Sequence, residues 1–562
     1  MKKEKILLVL LPYWEPQIPP LGISCLKSYL QHHGCQVKGV DANVEEEFND
    51  IHNRYFDTLR RYVPGDKRGN FYNVGHDVLR NHMMAFIHHE PGEEEKYLEL
   101  VKMIITKTFF TDITREQTRE LDEIVKDFYH TLGNYILELL AREKPVVFGL
   151  SVFRGNLAAS LFAFKLTKEK YPAIKTVMGG AIFAGELAIG SENLEFFLKK
   201  TPYIDKILVG EGEILFLAYL RGELAETRKV YTLADIDREA LDISTLPVPD
   251  FSDFDLRFYP DLAAFTSRSC PYQCSFCTET VYWGKYREKQ VNQIVKEMTG
   301  LYAQYHTQLF LMCDSLLNPV ITGLARELVK TGMSLYWDGY LRADHLASSE
   351  DSTWLWRQGG FYRARLGIES GSPHVLESMR KKISIDQIKA AVTNLARAGI
   401  KTTTYWVVGH PGETEADFQQ TLEIISELRD DIYEAWCCPF NYYKTGQVDS
   451  SQWEEKSRLL YPPEARDMLV VQTWTLAIEP AREEAYRRMN RFAAWCRQLG
   501  IPNPYTMKEF YQADDRWKKL HKNAVPALVE FQDKEKYIDE NKKIKPLVTA
   551  RKKLTGDMQF GF

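Results

Sequence analysis

At 562 residues, with 44% hydrophobic and 12% aromatic side chains, the chain is long enough for about two to four domains with sizeable cores. A formal net charge of −5 gives it no general affinity for nucleic acid. Its nine cysteines are an odd number without a disulfide-like framework, which fits a reducing compartment.

The start, Met-Lys-Lys-Glu-Lys and then the apolar residues 6–11, imitates a signal peptide. The run is too short, and Pro12, Trp14, Glu15 and Pro16 interrupt it with no small-residue cleavage site. Residues 5–12 read instead as a buried parallel strand. No run approaches the roughly 20 apolar residues of a membrane span, so a soluble, cytoplasmic protein is expected. A turn containing Pro19, Pro20, Leu21 and Gly22 follows, then an amphipathic helix over 23–33 closed by Gly34. Further strands are predicted at 36–41, 145–152, 174–178 and 205–209, with a helix over 157–170. Gly179-Gly180 and Gly210-Glu211-Gly212-Glu213 end the last two strands. Strand and helix alternate with glycines at strand ends, the pattern of a doubly wound, Rossmann-like sheet that binds its ligand beyond those ends. No G-x-G-x-x-G follows the first strand, so a dinucleotide is a weak candidate.

Residues 43–144 form an insert that is charged and helical in period, for example over 118–140. Buttressing the sheet is its default role. Acidic, proline-spotted residues 229–258 read as a linker. The division expected is therefore 1–228, a linker over 229–258, a core over 259–448 and a C-terminal region over 449–562.

Within the core, strand and helix alternate six times. Strands are predicted from residue 262 and at 308–312, 334–340, 364–368, 402–408 and 434–440. Six units are too few for a closed eight-fold barrel, so a partial TIM-like barrel with an open side is expected, with its reactive residues at strand C-termini. The loop after the first of these strands reads Ser-Cys-Pro-Tyr-Gln-Cys-Ser-Phe-Cys, placing Cys270, Cys274 and Cys277 in CxxxCxxC spacing. Three thiolates so close can hold three irons of a cubane cluster and leave the fourth iron open to a ligand. A structural zinc site would want four ligands, and no fourth lies nearby. Three cysteines in eight residues is also not core spacing.

The motif resembles the radical S-adenosylmethionine (SAM) superfamily, in which an aromatic residue, here Phe276, precedes the last cysteine. The resemblance implies a 4Fe-4S cluster whose open iron chelates SAM and delivers the electron that cleaves it to methionine and a 5′-deoxyadenosyl radical. It further implies SAM contacts from Asp314 and Ser315 (methionine amino group), Arg342 (carboxylate or ribose) and Glu369 of Gly367-Ile368-Glu369 (ribose). Gly409 opens the turn 409–414 that lies beside adenine in the superfamily. Glu413 and Thr414 have an equal claim as helix-capping residues. An electron donor of flavodoxin or ferredoxin type is implied as a partner.

The first domain resembles the cobalamin-binding domain that precedes the core in one large radical SAM class. The matching elements are Pro20-Leu21-Gly22, Ser151-Val152-Phe153, Gly179-Gly180 and Gly210-Glu211. At Gly180 a missing side chain would let the cofactor's nucleotide tail pass close to the backbone. The histidine that coordinates cobalt in some cobalamin domains has no counterpart here. Asp50-Ile51-His52 is only a partial match on a helix, and His32 and His33 suit a helix C-terminus. A cobalamin without a histidine on its lower face is therefore implied.

Together these features imply a cobalamin-dependent radical SAM enzyme, most often a methyltransferase acting on an unactivated carbon of a peptide or small molecule. The alternatives are a ring-closing or rearranging enzyme of the same class, or a non-catalytic cobalamin sensor, which the intact CxxxCxxC disfavours. A tRNA methylthiotransferase is disfavoured because Cys25 and Cys35 do not match its N-terminal cluster. Adjacent Cys437 and Cys438 point to opposite faces of a strand, so only one can face a substrate cavity. Cys25, Cys35, Cys313 and Cys496 read as core or incidental thiols. Residues 449–562 carry no recognised signature. They are expected to be mainly helical, for example over 463–498, with a Lys-rich end at 534–553. Tyr442, Tyr443, Trp453 and Trp474 read first as aromatic core and second as walls of a substrate pocket.

Overall fold

The computed structural model describes residues 5–13, 17–237, 239–504 and 507–524. The Lys-rich stretch 534–553 lies outside them. The chain opens with β1 (Lys5–Leu10), α1 (Leu21–His32) and β2 (Gln36–Asp41). α1 starts earlier than the sequence predicts. Pro20 is its N-cap, and the Pro20 carbonyl accepts from the Ser24 amide and hydroxyl, both at 2.9 Å. The Pro-Pro-Leu-Gly element is thus also the helix entry.

The insert is four helices, α2 (Glu46–Tyr62), α3 (Phe71–His88), α4 (Glu94–Phe109) and α5 (Arg115–Glu143), the last opened by a Thr114–Gln117 capping box. Then come β3 (Val147–Ser151), α6 (Leu157–Lys170), β4 (Lys175–Gly179), α7 (Glu192–Lys200), β5 (Lys206–Leu208), α8 (Gly212–Leu220) and β6 (Val230–Tyr231). The parallel sheet runs β2-β1-β3-β4-β5-β6. Its last strand comes from the segment read as linker, where Val230 and Tyr231 pair with Ile207 and Leu208. Two residues are too short a run for any periodic signal.

Helices cover both faces of this sheet. Phe148 of β3 packs on Phe164 of α6, while a side chain at the next residue, Gly149, would meet Leu8 and Phe216 of α8. Neighbouring strand residues face opposite ways, so α6 and α8 lie on opposite faces. The insert helices α3 and α5 pack on α6, so the insert forms a second layer over one face.

The second sheet begins with β7 (Leu262–Ala264). A small antiparallel pair, β8 (Ser267–Arg268) and β9 (Arg287–Glu288), brackets the cysteine loop and the short α9 (Glu279–Trp283). The alternation continues with α10 (Val291–Tyr305), β10 (Leu309–Met312), α11 (Ile321–Thr331), β11 (Tyr336–Leu341), α12 (Glu350–Gln358) and β12 (Phe361–Glu369). It ends with α13 (Pro373–Ser378), α14 (Ile385–Arg397), β13 (Lys401–Val408), α15 (Glu415–Glu427) and β14 (Glu434–Pro439). The six strands are all parallel in the order β14-β13-β12-β11-β10-β7, and the two ends do not pair with each other. This is the expected open barrel.

The C-terminal region adds a hairpin of β15 (Ser457–Leu459) and β16 (Trp474–Leu476) around α16 (Arg466–Leu469), then α17 (Arg482–Leu499) and α18 (Met507–Leu520). The helix expected over 463–498 is therefore broken. Trp474–Leu476 pair instead with Ser457–Leu459, and the long helix begins only after Pro480. Among the described residues no helix is long and apolar enough to cross a membrane.

Candidate functional site

The carboxyl ends of both sheets border one cavity of about 340 Å³. The first sheet contributes Leu21, Gly22, Ser151, Phe153, Gly179, Gly180, Gly210 and Glu211 to its lining. The second contributes Ser267, Arg268, Ser269, Glu279, Cys313 and Ser315, with Tyr282 and Trp283 of α9. Of the residues matched to the cobalamin-domain elements, Pro20 and Val152 stand outside this lining. Val152 is fully buried, and its N–H donates to the Gly179 carbonyl at 2.8 Å. Cys25 and Cys313, read as incidental thiols, also border the cavity. No histidine is among the described residues that line it. His52 is buried on α2, as its helical reading implies.

Two local devices shape the cavity wall. The Asn156 side chain accepts from the Phe153 amide at 2.7 Å and donates to the Ser151 carbonyl at 3.1 Å, which fixes the turn after β3. Gly180 adopts φ +114°, and a Cβ there would lie 2.4 Å from the Val152 carbonyl oxygen. The close approach that demands glycine at 180 is thus made by the chain's own backbone.

The carboxylates of Glu211 and Glu213 tie the domains together. Glu211 pairs with Arg287 and, at 3.4 Å, with Arg268, and Glu213 pairs with Arg268. Both arginines belong to the β8–β9 pair that brackets the cysteine loop. Tyr282 adds a hydrogen bond from its hydroxyl to the Gly180 carbonyl at 3.2 Å.

The cysteine loop is anchored by its own backbone. Ser275 donates to the Met379 carbonyl at 3.0 Å. The carbonyls of Ser275, Phe276 and Cys277 accept from Asp449 N, Gln447 Nε2 and Val448 N, each at 3.0 Å. Burial raises the Cys270 thiol and pushes Cys277 up to about 12, so iron binding there must displace protons. Among the described residues no group of three His, Cys, Asp or Glu side chains is drawn together tightly enough for a single ion. Thiolates on three corners of a cubane stand farther apart than ligands of one ion, and the three share one short loop. Arg342 lies over this loop, its guanidinium 4.0 Å from the Tyr272 ring centre and Nη1 3.7 Å from the Cys274 sulfur. Its Nη2 is buried without a partner, a donor left for an incoming acceptor.

The remaining strand ends are built as follows. Asp314 is buried and accepts from Thr266 N and Oγ1 and from Ser267 Oγ. Burial raises its carboxyl to about 6, against the lowering by those donors. Its carboxylate therefore fastens the end of β7. Ser315 donates to Glu279 at 2.7 Å. Glu369 takes φ +68° at an irregularity in the β12–β13 register and pairs with Lys381 at 2.7 Å. A Cβ at Gly367 would meet that carboxylate at 2.7 Å, which explains the glycine two residues before it. A non-glycine residue held at positive φ is the kind of strain that gathers at functional sites.

Gly409 (φ +78°) donates to Glu413 at 2.7 Å, and Arg488 of α17 holds Glu413 through its carbonyl (3.0 Å) and carboxylate (2.7 Å). Thr414 caps α15 in a box with Asp417. Removing one partner of so buried a pair costs about 3–5 kcal/mol. Arg488→Met should therefore lower the thermal midpoint markedly, and adding Glu413→Gln should recover part of the loss. A single variant as stable as the parent would show that the pair does not hold the turn.

A second cavity, of about 210 Å³, opens on Gly409 and is walled in part by Tyr442, Tyr443 and Trp474. Trp453 packs instead against His410 and Phe440. Cys438 faces Asn70 and Asn73 of the insert region, with Cys437 buried behind it. Sequence reasoning missed Asn156, Arg268, Lys381, Gln447 and Arg488. Asn156 fixes a turn only three to five residues back, while the others act on residues at least twelve positions away, and a lone polar residue signals neither role.

Residues 265–425 match the radical SAM superfamily. Over 408 residues the chain is 25% identical to the anaerobic magnesium-protoporphyrin IX monomethyl ester cyclase of Rubrivivax gelatinosus, covering 66% of this chain and 67% of that protein. It is 24% identical over 320 residues to the cobalamin-dependent radical SAM methyltransferase TokK of Streptomyces tokunonensis, covering 50% of this chain and 45% of that one. Among solved structures it shares its fold with the radical SAM methyltransferase TsrM of Kitasatospora setae, determined with tryptophan and a SAM analogue. That TM-score is 0.56 at 16% identity, over 88% of this chain and 89% of that one. With the cobalamin-dependent SAM radical enzyme OxsB, determined with aqua-cobalamin and SAM, it is 0.50 at 16% identity, over 90% of this chain and 62% of that one.

Proposed function

We infer that this chain, which carries a radical SAM domain over residues 265–425, is a cobalamin-dependent radical SAM enzyme that transfers a methyl group to an unactivated carbon. One observation carries the reading. A single cavity joins the glycine-rich carboxyl edge of a doubly wound sheet to the barrel end beside the cysteine loop. Ligands of both fold types sit at these edges.

In this reading Cys270, Cys274 and Cys277 hold three irons of a 4Fe-4S cluster. Arg342, with its unpartnered Nη2, binds the SAM carboxylate. Glu369 holds the ribose, and Lys381 keeps that carboxylate aimed. Ser315 and Gly409 border the rest of SAM, Asp314 fastens the end of β7 beside Ser315, and Phe276 is placed by Gln447. The loops at Leu21-Gly22, Ser151–Phe153, Gly179-Gly180 and Gly210 cradle cobalamin, and the Glu211–Arg287 pair closes the domains over it. When bound, these cofactors supply one-electron, radical and methyl-transfer chemistry, while the protein positions them and keeps water out.

The second reading is a cyclase of the same class. The two-thirds coverage of the Rubrivivax cyclase favours it, and nothing in the chain's own residues forbids it. Isotope labelling separates the two. Given methyl-trideuterated SAM and its substrate, a methyltransferase yields product bearing a trideuteromethyl group, with S-adenosylhomocysteine and 5′-deoxyadenosine in comparable amounts. Unlabelled product with 5′-deoxyadenosine alone would reject methyl transfer in favour of the cyclase.

A further inference from the structure

The second cavity lies where several parts of the chain meet. They include helix α3 of the insert, the turns after β3 and β4, the ends of β13 and β14, and the C-terminal hairpin with the start of α17. It contains a chain of ion pairs. Asp77 holds Arg154 at 2.8 Å, Arg154 reaches Glu186 at 3.0 Å, and Arg80 pairs with the same Glu186 oxygen. Two carboxylates and two guanidiniums cancel, so this wall neither draws in a cation nor an anion by net charge. The other Glu186 oxygen, Oε2, is buried with no donor.

Opposite chemistry comes from Gln472, which is 6% exposed. Asn193 grips its backbone from both sides, accepting from the Gln472 amide at 2.9 Å and donating to its carbonyl at 3.0 Å. The position is thus rigid, yet both Nε2 and Oε1 of its side chain are buried without partners. Each buried polar group left unpaired costs on the order of 1–3 kcal/mol. A fixed residue presenting a donor and an acceptor side by side matches the edge of another amide, which offers the complementary acceptor and donor. Phe440, Tyr443 and Trp474 supply apolar surface beside it.

We propose that this cavity binds the substrate, and that the substrate is a neutral molecule bearing an amide, such as a peptide backbone segment, read by Gln472 on one edge and by Glu186 Oε2 through an N–H. Only the word substrate rests on the function proposed above. The binding itself needs neither cluster nor cobalamin.

The test is therefore made on the cofactor-free full chain by equilibrium dialysis. The probe is N-acetylphenylalaninamide, compared with 3-phenylpropionate and phenethylamine. Saturable binding of the amide, at least tenfold tighter than either charged analogue, is expected, with at least a tenfold loss in Gln472→Leu. Thermal unfolding of that variant checks its fold, and the wild-type ranking of probes stands independently of it. No amide binding, equal binding of all three probes, or unchanged binding in a folded Gln472→Leu would overturn the proposal. None of those results touches iron content or cobalamin retention, so failure here is distinct from failure of the enzyme assignment.

Discussion

Replacing Cys270, Cys274 and Cys277 together by Ala should abolish the brown chromophore and every trace of SAM cleavage. The parent, reconstituted without oxygen, should bind about four irons and four sulfides, because three thiolates secure three corners of a cubane. The variant should still fold. The loop's placement rests on backbone hydrogen bonds to Met379 and to residues 447–449, and these survive the loss of sulfur. Replacing Cys496, buried on α17 away from the loop, should change neither iron content nor cleavage. 5′-Deoxyadenosine formed by the triple variant would remove the basis of the assignment.

The second large effect is expected at Gly179. A Cβ there has only the Leu208 carbonyl within range, at 3.4 Å, which is ordinary contact. The residue borders the cavity at the end of β4. Gly179→Leu should therefore fill the cavity, fold, and purify with full iron but no cobalamin by its visible absorbance. Full cobalamin occupancy in that variant would place the cofactor elsewhere. Gly180, the more obvious choice from sequence, is the poorer one. Leucine there would collide with the Val152 backbone and disturb the loop whether or not a ligand passes.

The contrast between these two glycines marks what the amino-acid sequence reveals. Gly-Gly at a strand end was readable as a place of close approach, but not what does the approaching. Strands such as Lys5–Leu10 and Lys401–Val408 were legible because continuous apolar or β-branched runs have few alternatives. β6 and the β15–β16 hairpin were not, since two- and three-residue strands are fixed by their partners. At the site, the cysteines and the strand-end motifs announce themselves through local spacing. Lys381, Arg488 and Gln472 do not, because each is defined by what it faces across the fold. The same limit applied to Glu211, whose pairing with Arg287 spans 76 residues.

The anchoring of the cysteine loop bears on how this protein can be divided. Every recognisable motif ends by Thr414, and the sixth barrel strand ends at Pro439. A minimal fragment designed on those grounds would stop there. Yet three consecutive carbonyls of the loop, at residues 275–277, accept from residues 447–449, which such a fragment discards. The catalytic module is thus not separable at its own motif boundary. Residues 447–449, past the last barrel strand, complete the scaffold of the loop that would hold the cluster.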